Sequence, residues 1–501
     1  METRAPVPAL PPHVARAFNA RVLDPASAPR TTRDSRSARD GESPALQPTA
    51  YVADSLLVRG LPGGRASEVL EVIAGVARER GVDVGGFAET DHRAAEVTQD
   101  RPATEEAWTS RLSLIPARPL EGAVDAWTLL QHLLESDANL AASVSLNHVM
   151  AMTGPGYGAA GGMWGYVGGM WGYVSGMWGY VGGMWGYVGR GLAEYGPGFG
   201  GRTPVAFCSP DPRTLVDVPG DAPVVAILDT GLGRHPWFTD DSGAPLPGVL
   251  INPVLPGGRA GRTFAAADDP ERTGAVSDPL NGGLDAAAGH GTFVAGIVRQ
   301  RCPQATIMAI PVLDASGHAE EHVVLTALGR LAEARRASEY RVDVVNLSMG
   351  YYPETPGLLG VQSPLAAALA GLTRLGVEVV AAAGNDATTA PFLPAALVDR
   401  VAGVHSVGAL NPDGRSVALF SNGGAWVREH AVGAAVVSTV PLTLAGSARP
   451  GVVSADASQP VHPERSTIDP DSHGSGFALW SGTSFAAPHV AGDLAARLLR
   501  G

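Results

Sequence analysis

Four short stretches of the chain carry side chains able to do chemistry together. "VVAILDTGLG" ends an apolar run on Asp229, and "AAGHGTFVAGIV" sets His290 between glycines ahead of a helix-like run. "AAAGND" offers Asn385 as a side-chain amide donor, and "WSGTSFAAPHVAG" sets Ser484 at the start of a helix of small residues, with Pro488 expected in its first turn. A carboxylate at the carboxyl end of a buried strand sits where open α/β sheets place their sites. A histidine beside glycines has room for both an orienting partner and a nucleophile. Each stretch taken singly also admits a structural role, the serine above all, because serine at a helix N-terminus is commonly a cap.

Together, Asp229, His290 and Ser484 occur in that chain order with Asn385 between the last two, and the chain over about residues 205 to 501 resembles the subtilisin-like serine proteases, the subtilases. "GTSFAAPHVAG" is the most specific of the matching strings. The resemblance implies that Ser484 attacks the scissile carbonyl. His290 takes its proton and returns one to the leaving amine, while Asp229 orients and stabilises the imidazole. It implies that Asn385 and the Ser484 backbone N–H donate to the oxyanion. It further implies that Ser348, Met349 and Gly350 on one side, and the segment Ala381 to Gly384 with Ala383 and Gly384 on the other, flank the substrate backbone as an added strand.

The chain departs from compact relatives in two places. Residues 256–283, "PGGRAGRTFAAADDPERTGAVSDPLNGG", read as a surface insertion, and a second insertion runs from about Leu442 to Ala478. No cluster of Asp and Asn reads as a calcium loop, so the calcium sites frequent in the family are not carried over and no cofactor is expected. "DTG" at Asp229 and "DSG" at Asp241 also resemble aspartic-protease signatures. Two carboxylates sharing a proton must meet from two symmetric lobes, and Asp241 follows the polar run "TDD" instead of an apolar strand, which excludes that chemistry.

The elements that must position these groups are continuous apolar runs, "PVVAILDTG", "ATIMAIPVLD", "VDVVNLSMG" and "VEVVAAAGN", with helical segments between them. Such runs indicate a parallel sheet covered on both faces. The expected fold over 204–501 is therefore α/β, a subtilisin-like doubly wound, mostly parallel sheet with helices on both faces. Residues 48–152 read strand, helix, strand, helix, strand and form a small α/β unit that closes on "ASVSLNHVM". This unit resembles the family's inhibitory prodomain, whose last strand leads into the cleft. That likeness implies an intramolecular inhibitor and an enzyme that matures by cutting itself.

Residues 1–47, rich in Pro, Arg, Ser and Asp, read as a disordered leader. Residues 153–203 read as a Gly-rich linker holding four MWGYV copies between 161 and 189. Glycine disfavours a helix there, and three readings stay open: a tether with sticky aromatics, a small hairpin patch for docking, or a peptide that the enzyme itself processes.

Bulk composition narrows the rest. A length of 501 residues calls for more than one folded unit. The net charge of -13 argues against nucleic-acid or anionic-membrane partners, which are reached through basic surface. All 36 basic residues are arginine, which excludes a Ser-Lys dyad, a Schiff-base lysine and a P-loop lysine. Cys208 and Cys302 are too few for a disulfide framework or a four-thiolate zinc site. With no secretory h-region and no apolar run of about 18 residues, a cytoplasmic location is expected. The expected activity is serine endopeptidase action on a peptide or protein substrate. The alternatives are a maturation protease acting on its own repeated peptide and a catalytically idle subtilase-fold binding module.

Overall fold

The computed structural model of the chain describes residues 5–8, 10–25, 46–98, 100–118, 124–152, 202–276, 283–356, 363–446, 453–454, 465–466 and 473–500. The MWGYV copies lie outside the described residues, as do parts of both insertions.

A seven-stranded sheet organises the second half of the chain. Its order is Glu429–Val432, Val404–Leu410, Glu378–Ala382, Val344–Leu347, Val224–Asp229, Thr306–Pro311, Val249–Ile251, and every neighbouring pair is parallel. The apolar runs have no polar side because both faces are covered. Val225 and Ile227 enter a core with Phe293, Ile297 and Phe485 of the helices His290–Arg301 and Thr483–Leu498. Val224, Ala226 and Leu228 enter the opposite core with Leu328 and Leu369 of the helices Glu321–Arg336 and Pro364–Thr373. This is the period-2 alternation of a strand buried twice.

Strand Val224–Asp229 lies between two strands that follow it in sequence, so the winding reverses beside it and Asp229 ends at the switch-point crevice. The edge strand Glu429–Val432 escapes the apolar pattern because its polar residues are used. His405 of the adjacent strand sits between Glu429 Oε1 at 2.5 Å and Glu378 Oε2 at 3.0 Å.

The front unit is an antiparallel sheet of β2 (Thr49–Arg59), β3 (Val82–Phe87), β4 (Thr109–Pro116) and β5 (Val144–Met152), in the order β5, β2, β4, β3. Leu56, Val58, Leu112 and Leu146 pack on Ile73 and Leu133 of the unit's own helices Leu70–Arg78 and Ala126–Ser136. Leu57 and Met150, from the same strands, join the core beneath Glu321–Arg336 instead. The front sheet therefore rests on the helix Glu321–Arg336 of the large unit, while the front unit's helix Arg101–Ala107 packs on Pro364–Thr373.

Two expectations need correction. The front unit holds one strand and two helices beyond the pattern read from its sequence: β3, Glu89–Val97 and Arg101–Ala107. The strand "VDVGGF" alternates only over its first three residues before two glycines interrupt it, and "ETDHRAAEV" is mostly polar, so neither shows a sustained period. The leader is not disordered throughout. A helix at Pro12–Ala17 leads into β1 (Ala20–Leu23), which pairs antiparallel with β2 from Ala20↔Val52 to Leu23↔Thr49. Val14 and Phe18 anchor it on Ala50, Val52 and Val149, a hydrophobic patch that composition does not reveal. Residues 26–45 of the expected leader lie outside the described residues. Among the described residues no helix is long and apolar enough to cross a membrane.

Candidate active site

Asp229, at the end of its strand, is fully buried. Its Oδ1 accepts the Thr230 N–H at 2.8 Å and lies 2.7 Å from His290 Nδ1. Because the carboxylate oxygen accepts, Nδ1 carries the proton and Nε2 presents its lone pair. Among the described residues Nε2 has no hydrogen-bond partner.

His290 is the first residue of its helix, and the flanking glycines are demanded by the backbone. Gly289 caps the helix in the left-handed region at φ 77°, and a Cβ there would meet Leu444 Cδ1 at 2.8 Å. A Cβ on Gly291 would lie 2.3 Å from the Gly231 carbonyl oxygen, so this glycine lets the helix approach the end of the Asp229 strand. Trp480 and Phe485 box the imidazole, with ring centroids 5.4 and 5.3 Å away.

Ser484 is not a cap. Gly482 occupies the N-cap position of Thr483–Leu498, and Ser484 Oγ donates to the Ser348 carbonyl at 3.2 Å. In return Ser348 Oγ donates to the Ser484 carbonyl at 3.0 Å. The cause is Pro488, which lies past the first turn where it was expected. Proline has no N–H to give the carbonyl four residues before it, and that carbonyl belongs to Ser484. The missing helical bond frees the Ser484 carbonyl for the Ser348 hydroxyl.

Asn385 Oδ1 accepts the Thr483 N–H at 2.9 Å, which orients the amide and turns Nδ2 outward as the donor. Nδ2 is buried with no partner among the described residues. Gly384 donates its N–H to Thr483 Oγ1 at 3.1 Å.

The segments expected to flank a bound strand divide. Met349 and Gly350 pair antiparallel with β5 in the register Met349↔Met152 and Gly350↔Ala151. Ala381 and Ala382 do not take part, because their strand is paired on both sides within the central sheet. Ala383 is also committed, its N–H to the Val407 carbonyl and its carbonyl to Asn422 Nδ2. Gly384 instead lines the cavity between Gly350 and Asn385. The second partner of β5 is the strand His318–Glu320, with His318↔Ala151 and Glu320↔Val149, and the Met152 N–H donates to the Gly317 carbonyl at 2.7 Å. A three-residue polar strand carries no sequence signal. Pro6, Val7 and Leu10 of the N-terminal segment complete the same cavity beside Met152, Asn385 and Phe392.

The cleft ends in charged pairs that join the two units. His148 of β5 is buried between Glu321 Oε2 at 2.6 Å and Glu354 Oε2 at 2.8 Å, and it stacks on Tyr351. Burial pushes this imidazole down, but Glu354 and Glu321 override that and raise it to about 10. Asp91 of the front unit takes His322 Nε2 at 3.0 Å. Glu271, from the loop read as a surface insertion, is 2% exposed and lies next to Thr230. Among the described residues no group of three His, Cys, Asp or Glu side chains is placed to hold a metal ion.

Comparison with known proteins gives the family. The profile of the subtilase family matches residues 220–499. The chain is 27% identical to an extracellular protease of Xanthomonas campestris pv. campestris over 55% of this chain and 44% of that one. It is 31% identical to a thermophilic serine proteinase of Bacillus sp. (strain AK1) over 40% and 41%, and 28% identical to an intracellular serine protease of Paenibacillus polymyxa over 54% and 65%. It thus spans less than half the length of the first two. The match covers more than half of the chain and includes the Asp229 strand, the His290 helix and the Ser484 helix, and on that basis this chain belongs to the subtilase family.

Proposed function

We propose that the chain is a serine endopeptidase that its own N-terminal unit holds latent until it cuts itself. Ser484 Oγ attacks the scissile carbonyl and passes its proton to His290 Nε2, which later protonates the leaving amine. Asp229 keeps the Nδ1–H tautomer in place and stabilises the imidazolium. Asn385 Nδ2 and the Ser484 N–H receive the oxyanion. In the resting state the Ser484 hydroxyl is engaged with the Ser348 carbonyl, and bound substrate must turn it towards Nε2.

The observation that carries the latency is the pairing of β5 with Met349–Gly350 and His318–Glu320. A peptide bound as an added strand needs those backbone groups, so β5 and substrate exclude one another. Met152 is the last described residue of β5, and the chain next offers Thr153 and Gly154. We place the self-cut at the bond between them. The MWGYV copies then lie on the enzyme side of the cut and follow the new N-terminus.

A fluorophosphonate probe tests the activity. The matured wild type takes up one label, mapped to Ser484 by peptide mass. A label on any other residue, or none, overturns the assignment. Asn385→Ala is expected to lower kcat by about 10²–10³-fold with KM little changed, because the lost donor acts on developing charge. Steady-state kinetics on a peptide amide measures both.

A further inference from the structure

Glu271 has no part in the steps above, yet it is built into the base of the triad. Its Oε1 accepts the Thr230 hydroxyl, the Gly291 N–H at 3.0 Å and the Thr292 N–H at 3.3 Å. Its Oε2 accepts the Thr292 hydroxyl at 2.5 Å. Both hydroxyls are themselves acceptors of backbone bonds, Thr230 Oγ1 from the Gly291 N–H at 2.8 Å and Thr292 Oγ1 from the Gly233 N–H at 2.7 Å. The Thr292 proton is thereby directed at Glu271 and the Thr230 proton is shared between Glu271 and, at 3.3 Å, Asp229 Oδ1, an arrangement that suits an ionised carboxylate.

Glycines make the room. A Cβ on Gly233 would lie 2.5 Å from the Glu271 carbonyl oxygen, and one on Gly291 would lie 3.1 Å from Oε1. Thr230 directly follows Asp229, and Gly291 and Thr292 directly follow His290. One side chain thus fastens the end of the strand to the first turn of the helix, where orphan N–H groups and the helix dipole favour negative charge.

We propose that Glu271 is a positioning residue for peptide hydrolysis, locking the Asp229–His290 pair and, through its charge, strengthening His290 as a base. This rests on the triad reading above. Burial pushes the Glu271 carboxyl up to about 7, opposed by the Thr230 and Thr292 hydroxyls and reinforced by Asp269 and Asp229. Its charge therefore develops around neutral pH. The other charged groups facing it are Asp229 and Asp269, both negative, and His290 reaches it through Asp229.

The test is the pH profile of kcat/KM for a peptide amide, with active sites counted by fluorophosphonate titration. In Glu271→Gln the neighbouring negative charge is absent at every pH, so the acid limb is expected to move to lower pH, by less than a fixed charge would give because Glu271 is itself half protonated near pH 7. Its plateau kcat should fall about tenfold at unchanged KM. Glu271→Asp keeps the charge and shortens the reach, so kcat should fall while the limb stays in place. A Glu271→Gln profile that superimposes on wild type overturns the inference, as does a loss confined to the number of active sites. If Glu271→Gln does not fold, Glu271→Asp decides alone, and a wild-type kcat overturns the inference. A matured wild type that neither hydrolyses peptides nor takes the probe removes the protease reading itself, a result distinct from an active enzyme indifferent to Glu271.

Discussion

Replacing Ser484 by alanine is expected to lower peptide hydrolysis on the order of 10⁶-fold, the scale on which losing the nucleophile disables a triad that acts as a unit. The full chain should then persist as one uncut species. Wild type, expressed alongside, should resolve into a front unit ending at Thr153 and an enzyme beginning at Gly154. The substitution removes one hydroxyl that donates to the Ser348 carbonyl, while the return bond from Ser348 Oγ uses the Ser484 backbone and survives. Folding should therefore change little, and thermal unfolding checks that the lost activity is chemical. Intact-mass spectra read the cut directly. Equal masses for an active wild type and Ser484→Ala would sink self-processing, and a cut elsewhere would overturn the position proposed for it.

Latency should weaken as pH rises. His148 is raised to about 10 where β5 is docked, against about 6.5 for a free histidine. A group whose docked value lies above its free value takes up a proton on docking. Its contribution is complete below about pH 6.5 and is lost as pH climbs towards 10, at about tenfold in docking equilibrium per unit. Glu354 has the opposite sign. Burial pushes it up, the charge on His148 overrides that and holds it below the ordinary carboxyl range, so its contribution is lost only in acid.

The groups facing His148 are Glu321, Glu354 and Tyr351, whose hydroxyl donates to Glu321 Oε1 at 2.9 Å. In the full chain carrying Ser484→Ala, amide exchange across Val144–Met152, corrected for its intrinsic base catalysis, should accelerate from pH 7 to 9.5. His148→Gln should exchange faster at pH 7 and lack this extra acceleration. Parallel pH dependences in the two chains would show that the clamp does not set docking.

Much of the site was legible in the sequence because its requirements are local. Asp229 ends a strand whose residues are apolar on both faces. His290 needs a left-handed glycine before it and a Cβ-free residue after it, and Ser484 needs a proline four positions on. Each demand falls on immediate neighbours, so each leaves a short string. Asn385 was legible for the same reason.

The rest was settled across distance. His148 and Glu321 are 173 positions apart, and no window of sequence contains both. Glu271 lies in a run of Asp, Pro and Arg that looks solvated, and only the convergence of two threonine hydroxyls and two helix N–H groups makes its burial affordable. β1 and His318–Glu320 are strands because an edge is there to pair with, and neither has an alternating pattern of its own.

By itself, then, the sequence determined which residues are candidates for acyl transfer and that a twice-covered parallel sheet carries them, since backbone sterics and strand periodicity are properties of adjacent residues. Tertiary structure alone decided which polar groups are buried and charged beside them and which edge the closing strand occupies, since a carboxylate or imidazole has the same identity in water and in a core and only its partners tell the two apart.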